Sequence, residues 1–234
     1  MQRATAGLCV VAAFALPVAA SAEVKEVQIA RGFAIPHLPI MIMEHDKLLE
    51  KHALAAGLGE IRVTYSTIGG GSVMNDSLIS GALSFGVGGP PPILTSVCRR
   101  FSMPSSRCRG STRSHRPTTS WAGPHTFTMV YATSKFHDAN PKTFQAFLAA
   151  IKEAIATINR DKNGVARTYP TMTNSKESVA DIVAILDDPL VQFTMTPVGT
   201  MKFADFMYRI EPLKNKPNSW QDYFFEESHY LPGS

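Results

Sequence analysis

The chain has 234 residues, 44% of them hydrophobic and 18% charged, values of a globular protein long enough to bury a sizeable core. Its formal charge of +4 does not mark a nucleic-acid binder, because Arg99, Arg100, Arg107, Arg109, Arg113 and Arg116 all crowd into residues 95–121, which hold no acid and no lysine. A nucleic-acid face spreads its basic residues over a folded surface with aromatics between them, and outside that stretch and Arg3 sixteen basic residues stand against nineteen acidic ones.

From the start of the chain, Arg3, an apolar run from Ala4 to Leu16, Pro17 and the triplet Ala20-Ser21-Ala22 have the order of a secretory signal peptide. The run is short for a membrane span of about 20 residues. Cleavage after Ala22 and export to the periplasm are expected, and Cys9 lies away from the junction, so no lipoprotein anchor is indicated. Val27-Gln28-Ile29-Ala30-Arg31 alternates apolar and polar and predicts a strand. Leu38, Met41, Ile42, Leu48 and Leu49 recur at helical spacing and predict one helix from His37 to Ala56, with Gly57 as its C-cap. Ile61–Tyr65 predicts a second strand, Val73–Ser80 a short helix opened by Gly69-Gly70-Gly71-Ser72 and stopped by Gly81, and Leu83–Val87 a third strand ended by Gly88-Gly89-Pro90-Pro91-Pro92. This β-α-β-α-β order implies an α/β fold with a mostly parallel sheet flanked by helices.

Residues 95–121 show neither period two nor period 3.6 and have the composition of loop or disorder. They hold Cys98 and Cys108, which an oxidising compartment would allow to pair. The chain has no C-x-x-C pair. Order returns with a strand at Thr126–Thr133. Asn140-Pro141 then predicts an N-cap and first helical position, followed by the stripe Phe144, Phe147, Leu148, Ile151, Ile155 and Ile158. Two further helices are expected. One spans Ser178–Leu186 with Val179, Ile182, Val183 and Leu186 inward; the other follows Thr200 with Phe203, Phe206, Met207 and Ile210 inward. The aromatic tail (Trp220, Tyr223, Phe224, Phe225, Tyr230) is expected to pack back on the body.

Candidate site residues fall in loops at the carboxyl ends of strands, where open α/β sheets bind ligands. They are Ile35, Pro36 and His37 after the first strand, Gly70, Gly71 and Ser72 after the second, and Gly89 and Pro90 after the third; His125, after Gly123-Pro124, could face the same cleft. Unpaired N–H groups and the helix dipole behind Gly70-Gly71-Ser72 suit an oxyanion. The same residues also read as a tight turn with Ser72 as ordinary N-cap, and His37 as a solvated loop histidine. No Walker A, G-x-G-x-x-G, G-x-S-x-G or H-E-x-x-H pattern is present. His45 and His52, seven apart, do not have the i, i+4 spacing of a helical metal pair. No enzyme, cofactor or metal is expected.

Pro36-His37-Leu38-Pro39 to Glu50-Lys51-His52, Gly69–Ser72 with Met74-Asn75-Asp76, and Ser80-Gly81 to Gly89-Pro90-Pro91 together resemble the substrate-binding proteins of nitrate, sulfonate, taurine and bicarbonate ABC importers. So do Gly123–Phe127 through Ala132–Phe136, and Thr200–Met207. The resemblance implies a periplasmic-binding-protein-like lobe, a small anionic or polar solute as ligand, and an inner-membrane ABC permease as partner. It places residues 23–94 and 122–234 in lobe one, strand 126–133 as the return hinge, and residues 95–121 where a second lobe of about 100 residues belongs. An internal deletion with a shifted reading frame is the expectation there, with binding impaired. The rival readings are a non-transport interaction protein using the remaining lobe, and an enzyme of the family's pyrimidine-synthesising branch, whose cysteine-rich motif is absent from this chain.

Overall fold

The computed structural model describes residues 23–32, 34–90, 125–210, 213 and 217–234. The apolar leader of residues 1–22, the arginine-rich stretch 95–121 with Cys98 and Cys108, and Pro91-Pro92 lie outside the described residues.

Strand β1 (Glu26–Arg31) pairs in parallel with β2 (Arg62–Thr67), from Glu26 opposite Arg62 to Arg31 opposite Thr67. Phe85 forms a parallel bridge to Ile29, and β3 (Gly86–Gly88) continues from it to pair antiparallel with β4 (Met129–Tyr131). The strands thus form two two-stranded sheets, β1-β2 and β3-β4, linked by that single bridge, and the second pairs residues from before and after the stretch 91–124. The third and fourth strands are shorter than the sequence predicts. Leu83 and Ser84 stay outside the ladder, although Ser84 N–H donates to the Gln28 carbonyl at 2.8 Å. Residues 125–128 form no ladder.

The sheet's two faces follow the alternation of its side chains. Val27, Ile29, Phe85 and Val87 enter the main core, whereas Ala30 faces the other side with Met74, Leu78 and Leu83. Helix α3 (Gly71–Ser80) covers that second side. Its close approach needs small residues beneath it: a Cβ on Gly86 would come within 2.7 Å of Leu78 Cδ1 and 3.2 Å of Met74 Cγ.

The expected helix 37–56 is instead two, α1 (Leu38–His45) and α2 (Leu48–Ala55), broken where Lys47 adopts a left-handed φ of 51°. Both pack on the long helix α5 (Pro141–Arg160), which follows the short α4 (Ser134–Ala139). Glu153 on α5 accepts hydrogen bonds from Lys51 Nζ at 2.6 Å and approaches His52 Nε2 at 2.7 Å. The stripe of α5 buries Phe144, Phe147, Ile151 and Ile158, with Leu148 and Ile155 at its margins.

Asn140 sits at the N-cap position of α5 but does not cap it. Its Oδ1 accepts from Val24 N–H and its Nδ2 donates to the Phe136 carbonyl. Glu23 caps the helix instead, its carboxylate accepting from Lys142 N–H, Thr143 N–H and Thr143 Oγ1, each at 2.7 Å. Burial alone would raise the Glu23 pKa, but these bonds outweigh it and hold the carboxyl below its ordinary range.

Helix α6 (Lys162–Thr173), which the sequence pattern above does not mark, holds Gly164 and Pro170, both poor helix formers. It forms because Asp161 caps Gly164 N–H at 2.7 Å and because Val165, Ala166 and Tyr169 bury in the core. Helices α7 (Val179–Asp187) and α8 (Thr200–Arg209) follow. Ile182, Leu186 and Met207 are buried as expected, whereas Val179 and Ile210 sit at helix ends and are exposed. No described helix is long and apolar enough to cross a membrane.

In the tail, the Phe225 ring stacks on His137 at 4.3 Å and meets Phe144 edge-on at 5.0 Å, while Tyr230 is exposed. His137 holds Glu227 at 3.0 Å through Nε2 and Asp138 at 2.8 Å through Nδ1. Burial alone would lower the His137 pKa, but the two carboxylates outweigh it and raise it above 6.5. For Glu227, burial alone would raise the pKa, but its bond to His137 outweighs that and holds it below 4.5. The His137 contribution to stability is full below 6.5 and is lost as pH rises through the raised value. The Glu227 contribution is present above 4.5 and is lost as pH falls. Amide exchange in residues 220–231 should therefore accelerate beyond its intrinsic pH trend on going from mildly acidic to alkaline pH. The His137→Gln variant should lack this excess, and an unchanged profile in that variant would refute the coupling.

Candidate functional site

The carboxyl ends of β1, β2 and β3 meet around a cleft of about 210 Å³. Arg31 and Gly32 come from the end of β1, and His37 from the 3-10 turn Ile35–His37 that follows it. Ile68, Gly70, Gly71 and Met74 come from the β2–α3 turn and the first turn of α3, and Val87, Gly88 and Gly89 from the end of β3. Parallel strands joined by crossover helices bring successive βα turns to one edge of the sheet, which is why three loops far apart in sequence share this wall.

Of the predicted residues, the structure brings His37, Gly70, Gly71 and Gly89 together on the cleft wall. Ile35 is buried in the main core and Pro36 is half-buried beside it. Ser72 is exposed in the first turn of α3, and Pro90 is buried. His125 is not among the residues lining the cleft; its ring stands 5.5 Å from Phe203 of α8, edge-on to it.

The α3 terminus is built for a close approach. Gly70 occupies the N-cap position with φ 94° and ψ 132°, a region that a side chain disfavours. No side chain caps this helix, so Ser72 is not its N-cap, and the first-turn N–H groups stand open beside Gly70 and Gly71. The partial positive charge of the helix end is added to these donors.

The His37 ring lies flat over Gly32. A Cβ there would sit 2.6 Å from His37 Cε1 and closer still to Nε2 and Cδ2. Burial lowers the His37 pKa, so the imidazole is neutral at pH 7 and offers one donor and one acceptor nitrogen. Its Nδ1 is buried with no hydrogen-bond partner among the described residues.

Arg31 is the charged residue that sequence reasoning missed. It is the last residue of β1, where the strand's alternation marks it only as a polar position. Its Nη1 donates to Glu44 Oε2 of α1 at 2.6 Å. Ile68, Met74 and Val87 add apolar surface that the glycine motif alone gave no reason to expect.

A larger depression of about 390 Å³ lies between the ends of α5 and α7 and the loop Asp188–Thr194. It is more open to solvent and gathers neither glycine backbone nor a neutral histidine, so the strand-end cleft is the stronger candidate despite its smaller size.

No family model matches the chain, and no curated protein does. Among solved structures it is similar to the alkanesulfonate-binding protein SsuA from Xanthomonas axonopodis pv. citri bound to MOPS. The TM-score is 0.56 at 12% identity, over 83% of this chain and 96% of that one. It is also similar to the periplasmic aliphatic sulphonate binding protein SsuA from Escherichia coli. Here the TM-score is 0.58 at 14% identity, over 87% of this chain and 100% of that one. At such identities the likeness shows the fold: a mixed α/β, periplasmic-binding-protein-like architecture.

Proposed function

We propose that the chain is the exported solute-binding component of an ABC-type importer, a binding protein rather than an enzyme, for a small anionic or polar organic solute such as a sulfonate, nitrate or a taurine-like compound. The observation that carries this reading is the convergence of three strand-end loops on one cleft, where open helix N–H groups, a guanidinium and a neutral histidine sit beside apolar side chains. Sulfonate oxygens suit the donors, and Ile68, Met74 and Val87 suit a short carbon chain. The fold's likeness to two sulfonate-binding proteins, one of them bound to MOPS, supports the same class.

An inner-membrane permease is the corresponding partner. In this proposal residues 95–121 stand where a second lobe would be, and the pairing of Gly86–Gly88 with Met129–Tyr131 supports a lobe one that closes its own sheet. One lobe covers a ligand on one side only, so binding is weak.

Calorimetric titration with MOPS, short alkanesulfonates, taurine and nitrate tests the reading. Binding of at least one is expected, and Gly71→Leu, which puts a bulky side chain on the cleft wall, should abolish it. A ligand held equally well by Gly71→Leu would place the site elsewhere.

A further inference from the structure

We infer that Arg31 and Glu44 act as one unit that sets the charge of the ligand: Arg31 takes a monoanion in the strand-end cleft, and Glu44 turns dianions away. The inference rests on the binding function proposed above and assigns a role to two residues within it.

Arg31 is the only formally charged side chain among the described residues that line the cleft, because burial keeps His37 neutral at pH 7. The guanidinium has five N–H donors. Nη1 is committed to Glu44 Oε2 at 2.6 Å, and among the described residues the Arg31 side chain has no other hydrogen-bond partner. The two side chains are each about one-third exposed, 33% and 32%, so the pair is partly shielded from water; Arg31 lines the cleft, and Glu44 holds it from α1.

The consequence is a site with many donors and little net charge. Glu44 already offsets the guanidinium's full positive charge. What remains is the remaining guanidinium N–H groups, the open amides at the start of α3 and the helix dipole's partial positive charge, about half a unit. A second carboxylate shares a neighbour with Glu44. Glu44 and Glu50 both act on the Tyr65 phenol, which burial first and these two carboxylates second push upward, and Glu50 Oε2 is itself buried without a partner among the described residues. A monoanion with its charge spread over three oxygens fits this balance. A second negative charge on the ligand meets Glu44 with nothing to offset it.

Glu44 is thus a positioning and charge-setting residue, and it need not touch the ligand. Methanesulfonate and sulfate are matched probes: both are tetrahedral oxyanions of similar size, with one and two charges at neutral pH. Calorimetric titration of the full chain at constant ionic strength should show methanesulfonate preferred. In Glu44→Gln the preference for methanesulfonate over sulfate should fall by about tenfold, and Glu44→Asp, which keeps the charge, should retain the preference. Arg31→Gln should weaken methanesulfonate by at least about tenfold, and Arg31→Lys should recover part of that loss. The ratio between two ligands is not moved by a uniform loss of structure, so Glu44→Asp and Arg31→Lys keep the test valid if either glutamine variant folds poorly. If the natural chain prefers methanesulfonate and Glu44→Gln leaves the ratio unchanged, the inference is overturned while the binding function stands. Binding that Arg31→Gln does not alter has the same meaning. If the natural chain binds neither these probes nor any other anion, both fall.

Discussion

Replacing Phe85 with alanine is expected to cost about 3–5 kcal/mol of stability. The ring is 1% exposed and stacks on Phe147 with centroids 3.8 Å apart and planes 10° from parallel. It meets Phe136 edge-on at 5.3 Å and Phe144 at 6.1 Å. All three partners belong to α4 and α5, beyond residue 124, whereas Phe85 itself bridges to Ile29 of β1. One side chain thus joins the βαβ segment to the helices that follow. Its removal costs both the transfer free energy of the ring and the cavity left among aromatic neighbours that cannot collapse inward without leaving one another. Urea denaturation followed by circular dichroism measures the loss. Phe127→Ala is the control, because that ring is 68% exposed, and its effect should stay within about 0.5 kcal/mol. A Phe85→Ala loss below about 1 kcal/mol would mean that the two parts of the chain do not share this core.

The Gly32→Ala variant should lose ligand binding and about 1–3 kcal/mol of stability through overpacking. The added methyl would run into the His37 ring, and the ring must then leave its place on the cleft wall. The obstacle is van der Waals contact with the ring, and Nδ1 of His37 holds no hydrogen bond to break among the described residues. Removing the obstacle should therefore remove the cost. In a His37→Ala background the same glycine substitution should be close to neutral, a coupling of about 1 kcal/mol or more between the two positions. Denaturation of the four proteins in this cycle checks the stability arm, and titration with MOPS checks the binding arm. Additive effects would show that the ring does not lie over Gly32 in solution.

The elements legible in the sequence were those whose cause is local. Alternation placed Val27 and Ile29 on one face of β1, and the 3.6-residue stripe from Phe144 to Ile158 specified α5 and its buried side. Gly70 and Gly81, with φ of 94° and 81°, bound α3 at the positions the glycines marked, since each backbone conformation there disfavours any other residue. The same logic reached four of the ten residues of the cleft wall: His37, Gly70, Gly71 and Gly89 follow strand ends, and strand ends of a parallel sheet share an edge. What tertiary structure decided depends on partners far along the chain. Asn140 carries the sequence mark of a cap, yet its oxygen goes to Val24 and the cap comes from Glu23, more than a hundred residues away. Lys47 takes a left-handed turn with no glycine to announce it, and helix Lys162–Thr173 survives Pro170 because Val165, Ala166 and Tyr169 bury against the core. Arg31 reads as a routine strand residue until α1 folds back and sets Glu44 2.6 Å from it. Backbone conformation and amphipathic period are written in neighbouring residues, whereas the pairing of charges and caps is fixed only when distant segments meet and each buried polar group takes the partner that packing leaves within reach.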